Sequence, residues 1–181
     1  GAGRRKRGAR RARLPGRAGM TCTSFLVADG PCRRIDAEEA NAYEGAGFVW
    51  NHVESENGLE VPPLIRADIP DVAANALVAT ETRPRSDRIG EGALVNIRGP
   101  AETPFEHSDR LVSIRMWVRR GRVDSVTRRP LAATNAVIAA IEANKILDPG
   151  DLVAAFAKEI SATLDPQVAD LGDQLDDCES E

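Results

Sequence analysis

Three aspartates near the end of the chain, Asp170, Asp173 and Asp177, stand at i, i+3 and i+7, which puts them on one face of any helix formed there. Carboxylate oxygens gathered in this way attract hard divalent cations. Without a cation, solvent or basic partner they repel one another, and a solvated helix face is the simpler reading of the same spacing. The opposite chemistry lies upstream. Arg83, Arg85, Arg88 and Arg98 flank a Gly90-Glu91-Gly92 connector and could hold phosphate or another anion. The competing reading is a polar strand face paired with Glu81, Asp87 and Glu91. In the run PFEHSD (104–109), Glu106, His107 and Asp109 offer a weak surface site for a metal. His52 lies beside Trp50 in an apolar stretch, where a structural histidine is the simpler reading.

Several kinds of chemistry find no support. There is no GxSxG elbow for a nucleophilic serine. Cys22, Cys32 and Cys178 form no CxxC pair, and no HExxH is present, so a tight structural zinc site is not expected. Three widely spaced cysteines also argue against a disulfide scaffold and for a reducing compartment. The Gly-Glu-Gly is a poor nucleotide loop, because a strand pattern follows it and no helix N-terminus faces a phosphate. No aromatic residues interleave with the arginines, as a single-strand stacking surface would require. An enzyme is not expected.

The elements that would carry these residues follow from periodicity. Residues 22–28 read as a strand closed by Asp29-Gly30-Pro31. Asp36 caps a short helix over 36–44, with Glu39 three residues on. Residues 47–53 alternate with apolar groups on both faces, which suggests a central strand. Pro70 opens a helix with Val72, Ala73, Ala76 and Leu77 on its apolar side. Residues 83–89 and 93–98 then form one hairpin, and 111–119 with 122–127 a second, turning at Gly90-Glu91-Gly92 and Arg120-Gly121. From Leu131 the period changes to helical. One helix carries Leu131, Thr134, Val137, Ile138 and Ile141. Another starts at Asp148-Pro149 and carries Leu152, Phe156, Ile160 and Leu164. Asp165-Pro166 repeats the start signal for a third, with Val168, Leu171, Leu175 and Cys178 at coiled-coil spacing and no stop signal before Glu181. The fold class expected is α/β, a mixed sheet with helices on both faces, followed by the beginning of a long stalk helix.

The chain has 181 residues and a formal net charge of −4, unevenly spread. Residues 1–19 hold eight basic residues and no acid, and 165–181 hold seven acids and no Lys or Arg. The basic segment is expected to be a disordered tail or sequence upstream of a natural start at Met20, with a nucleic-acid or anionic-membrane arm as the alternative. Residues 20–164 form the domain and 165–181 the cut stalk helix. The longest apolar runs, 136–141 and 152–157, fall far short of the roughly 20 residues a spanning helix needs.

Against this reading a family pattern stands out. ETRPR followed by RIGEGALVNIRG, with FVWNHV (48–53), DRLVSIRMWV (109–118), GRVDSVTRR (121–129) and DPQVADLGDQLDD (165–177), resembles the ZntB-type zinc transporters within the CorA family of divalent-cation transporters. The resemblance covers about 22–181. It implies a cytoplasmic α/β domain leading into a long helix that descends to the inner membrane, two membrane helices beyond the last residue, and a pentameric funnel. It implies zinc or another divalent cation as the cargo, no tightly bound cofactor, and no nucleic-acid partner. The residues expected to attract weakly bound zinc are Asp170, Asp173, Asp176 and Asp177. In the magnesium branch an acidic pair precedes the RP dipeptide. Asn75-Ala76 stands there instead, which favours the ZntB-like branch. The alternative from a different class is a soluble module that binds an anionic ligand or nucleic acid through the arginine-rich hairpin.

Overall fold

A computed structural model describes residues 12–13, 20–55, 69–80, 83–103 and 111–179. Eight strands form a single sheet. They are β1 (Ala12–Arg13), β2 (Met20–Val27), β3 (Arg33–Ile35), β4 (Phe48–Ser55), β5 (Arg85–Ile89), β6 (Gly92–Pro100), β7 (Leu111–Arg119) and β8 (Arg122–Thr127). Their order is β1-β2-β4-β8-β7-β6-β5, with β3 pairing β2 beside β1. Among the described strands the single parallel pair is β4 with β8, from Val49 opposite Arg122 to Glu54 opposite Thr127. The other pairs are antiparallel, so the sheet is mixed, as expected.

Alternation decides which side chains meet which helix. Phe25, Val27, Phe48, Trp50, Val123, Ile114 and Met116 share one face. Two helices cover it, α3 (Ala133–Glu142) through Val137 and Ile141, and α4 (Pro149–Glu179) through Leu152, Phe156 and Ile160. Trp50 stacks on Phe25 at 5.6 Å and receives Phe156 edge-on at 5.7 Å. At Gly99 the helix comes so close that a Cβ would lie 2.7 Å from Ile160 Cγ1. The other face carries α1 (Ala37–Ala42) and α2 (Asp71–Val78). Ala40 packs over Leu26 and Val49, while Ile69, Ala73 and Leu77 pack over Val53, Leu94, Trp117 and Val126. Helices therefore lie on both faces, and β4, buried on both sides, is central.

The two hairpins turn at Gly90-Glu91 and Arg120-Gly121, with φ of 57° at Gly90 and 74° at Gly121. Asp36 caps α1 by accepting the Glu39 N–H at 2.8 Å. Four local expectations need correction. The helix at 36–44 stops at Ala42, ahead of the Gly45 and Gly47 breakers. Val72 is 58% exposed, because α2 buries the stripe of Ile69, Ala73 and Leu77 and not the flank of Val72. The three-residue β3 was not expected, being too short to show a period. Asp165-Pro166 starts no new helix, since α4 runs unbroken through Pro166. That proline removes the bond to the Ala162 carbonyl. Ala162 is exposed, so water can take that role.

Candidate functional site

The arginine-bearing strands meet at one place. In register, Arg85 of β5 lies opposite Asn96 of β6, which lies opposite Arg115 of β7. Two residues along, Arg98 lies opposite Ser113 on the same face. Arg128 and Arg129 follow the end of β8, and Arg83 precedes β5. These side chains, with Ala76, Ala79 and Thr80 at the end of α2, line a pocket of about 930 Å³. Six guanidinium groups thus share one cavity. The carboxylate of Asp87 pairs with Arg85 at 3.1 Å, both half exposed, so the polar-strand reading holds for that residue. Arg88 belongs elsewhere. It lies opposite Ala93, one residue out of step with Arg85, and its Nε donates to the Gly90 carbonyl at 3.3 Å.

Within the pocket the arginines are not equivalent. Arg128 Nη2 donates to the Val78 carbonyl at 3.0 Å, which caps the negative end of α2. Arg115 is 3% exposed, and its Nε and Nη1 have no hydrogen-bond partner among the described residues. Burial, reinforced by the like charge of Arg128, pushes its pKa down to about 10. It remains charged at neutral pH. Arg115, Arg128 and Arg129 were missed by the sequence reading. The period-two pattern of β7 draws the eye to Val112, Ile114 and Met116, and the same pattern, read for its other face, places Arg115 beside Asn96.

A second buried charge on this sheet face is structural. Arg122 Nε donates to both carboxylate oxygens of Asp124 at 3.1 and 3.0 Å. Its Nη1 reaches the Ala40 carbonyl at 2.6 Å and its Nη2 Asn41 Oδ1 at 2.9 Å, which ties α1 to the sheet. Asn51 completes the set by donating to Asp124 at 3.2 Å. Burial raises the pKa of Asp124, while Arg122 pulls it back. His52 belongs to the core of the opposite face. It is 5% exposed, and its Nδ1 shares Ser125 Oγ, at 2.9 Å, with the indole N–H of Trp50. Ser125 is 1% exposed, so this serine–histidine pair is sealed from any substrate.

Asp170, Asp173, Asp176 and Asp177 all lie on the exposed second half of α4. Among the described residues no three His, Cys, Asp or Glu side chains come together as a metal-binding group. The same half-helix exposes Val168, Leu171 and Leu175 by 65%, 64% and 61%. At 100° per residue these three lie roughly 160° around the axis from Asp170, Asp173 and Asp177, so the apolar and acidic stripes oppose each other. The Glu106, His107 and Asp109 candidate lies outside the described residues, as does Glu81. No described helix is long and apolar enough to cross a membrane.

Comparison with known proteins places these features. The family model of the CorA-like Mg2+ transporter protein matches residues 45–181. The zinc transport protein ZntB of Klebsiella pneumoniae is 30% identical over 134 residues, covering 70% of this chain and 40% of that protein. The chain thus spans less than half the length of that relative. Among solved structures, the ZntB cytoplasmic domain from Vibrio parahaemolyticus superposes with a TM-score of 0.70 at 16% identity, over 89% of this chain and 65% of that one. The full-length CmaX protein superposes at 0.69 with 24% identity, over 89% and 51%. These two structures speak for the fold.

Proposed function

Since the chain belongs to the family of the CorA-like Mg2+ transporter protein, we propose that it is the cytoplasmic domain of a ZntB-like transporter of zinc or a similar divalent cation at the inner membrane. Its tasks are to hold subunits together, to take part in gating and to gather cations near the pore. The observation that carries this reading is α4. Its first half is bolted to the sheet by Leu152, Phe156 and Ile160, and the described side chains of its second half, from Asp165 on, are exposed. A free helix with one apolar and one acidic stripe suits a stalk that packs on neighbouring copies and presents carboxylates to an aqueous path. Rows of exposed carboxylates raise the local concentration of cations by field focusing, without a high-affinity site.

Zinc titration by calorimetry tests the acidic stripe. The chain should take up zinc weakly and in a salt-sensitive manner, and the Asp173→Asn/Asp177→Asn variant should take up less. Identical isotherms for the two would remove the stripe from the cation path.

A further inference from the structure

The arginine pocket repels cations, and its chemistry points to a different ligand. We propose that the cavity walled by β5, β6, β7 and the end of α2 binds a small polyanion of the diphosphate or polyphosphate class. Six guanidinium groups converge there, and one of them, Arg115, is buried with two donor nitrogens unspent among the described residues. A buried charged donor without an acceptor is costly, and an oxyanion placed beside it removes that cost. Guanidinium forks match phosphate oxygens in pairs.

Size and shape narrow the ligand. A cavity of about 930 Å³ is in the range of small-molecule sites and far larger than a single monatomic anion requires. Along the strands, the row of Arg85, Asn96 and Arg115 and the row of Arg98 and Ser113 lie about 6.8 Å apart, a span that linked phosphates fill better than one. Among the described residues the lining holds no aromatic side chain, and the groups it does offer, guanidinium forks and Ser and Thr hydroxyls, suit recognition of the phosphate chain. Arg85, Arg98 and Arg115 sit on hydrogen-bonded strands, so that part of the site is set before the ligand arrives.

Calorimetry on the full 181-residue chain at low salt, with inorganic pyrophosphate, inorganic triphosphate and ATP as probes, decides the matter. Pyrophosphate should bind saturably at one site and raise the melting temperature. Triphosphate and ATP should bind with similar affinity. Arg115→Met and Arg98→Met should each weaken binding by about tenfold or more, the loss of a charge-assisted hydrogen bond. Arg88→Met, on the other side of the hairpin, should leave it unchanged. If Arg115→Met does not fold, Arg98→Met decides by the same criterion. Absence of heat and of thermal stabilisation in the unaltered chain would overturn the proposal and leave the pocket to acids of the chain itself. So would equal binding by the pocket variants, or a duplex oligonucleotide that outcompetes triphosphate.

Discussion

Arg115 carries its charge in a place where charge is costly. Its folded pKa of about 10 lies well below the ordinary guanidinium range, so the folded state holds this proton less tightly than the unfolded chain does. Below pH 10 both states are charged and the cost of burial is present in full. As pH rises above 10 the folded group loses its proton before the unfolded one does, and the cost fades. Arg115→Met should therefore raise the melting temperature of the ligand-free protein at pH 7, with the gain shrinking at pH 10.5. A variant less stable than the parent at pH 7 would mean that Arg115 already has a partner. A stabilising substitution that costs binding is the usual sign of a site kept for function. At this scale the sequence was half legible. Arg83, Arg85 and Arg98 could be picked out as candidate anion contacts, but Arg88 could be separated from them only by the hairpin register. Arg115 lay hidden because its strand advertises the apolar face.

The helices illustrate a different limit. Asp148-Pro149 begins α4 as the pattern suggests, because Asp148 accepts the Asp151 N–H at 2.8 Å and Pro149 needs no donor in the first turn. Asp165-Pro166 is the same dipeptide with a different outcome. Sequence reports that a proline lacks an N–H, but not whether the orphaned carbonyl can reach water. Where it can, the helix continues at a local cost. Pro166→Ala should restore that bond and strengthen the stalk by up to about 3 kcal/mol. Circular dichroism should show more helix, and amide exchange across 162–179 should slow. Unchanged exchange would mean that the helix beyond Pro166 was already as firm as one without it. The strands were the most legible elements, since their two-residue turns carry glycine where a positive φ is required. β3 escaped notice because three residues cannot display a period.

For the molecule as a whole, the layers were legible from alternation plus the switch to helical spacing after Leu131. The parallel pairing of β4 with β8 was not, because α2 and three other strands come between its partners in sequence and no local signal joins them. Nor does the sequence alone say what covers the exposed Val168, Leu171 and Leu175. If the stalks of neighbouring copies do so, the chain should sediment faster as its concentration rises, and Leu171→Asp/Leu175→Asp should remain a monomer over the same range. Equal sedimentation of the two would leave the stripe without that role. The close approach of Ile160 to Gly99 has a mechanical consequence. It is a tight seat of α4 on the sheet, Leu164 packs one turn further along, and the described helix beyond that, from 164 to 179, is about 22 Å long. On such an arm, a tilt of about 5° carries the far end through about 2 Å. The missing Cβ at Gly99 thereby helps to set the fulcrum, and a small tilt of the helix on the sheet becomes a larger displacement along the exposed arm.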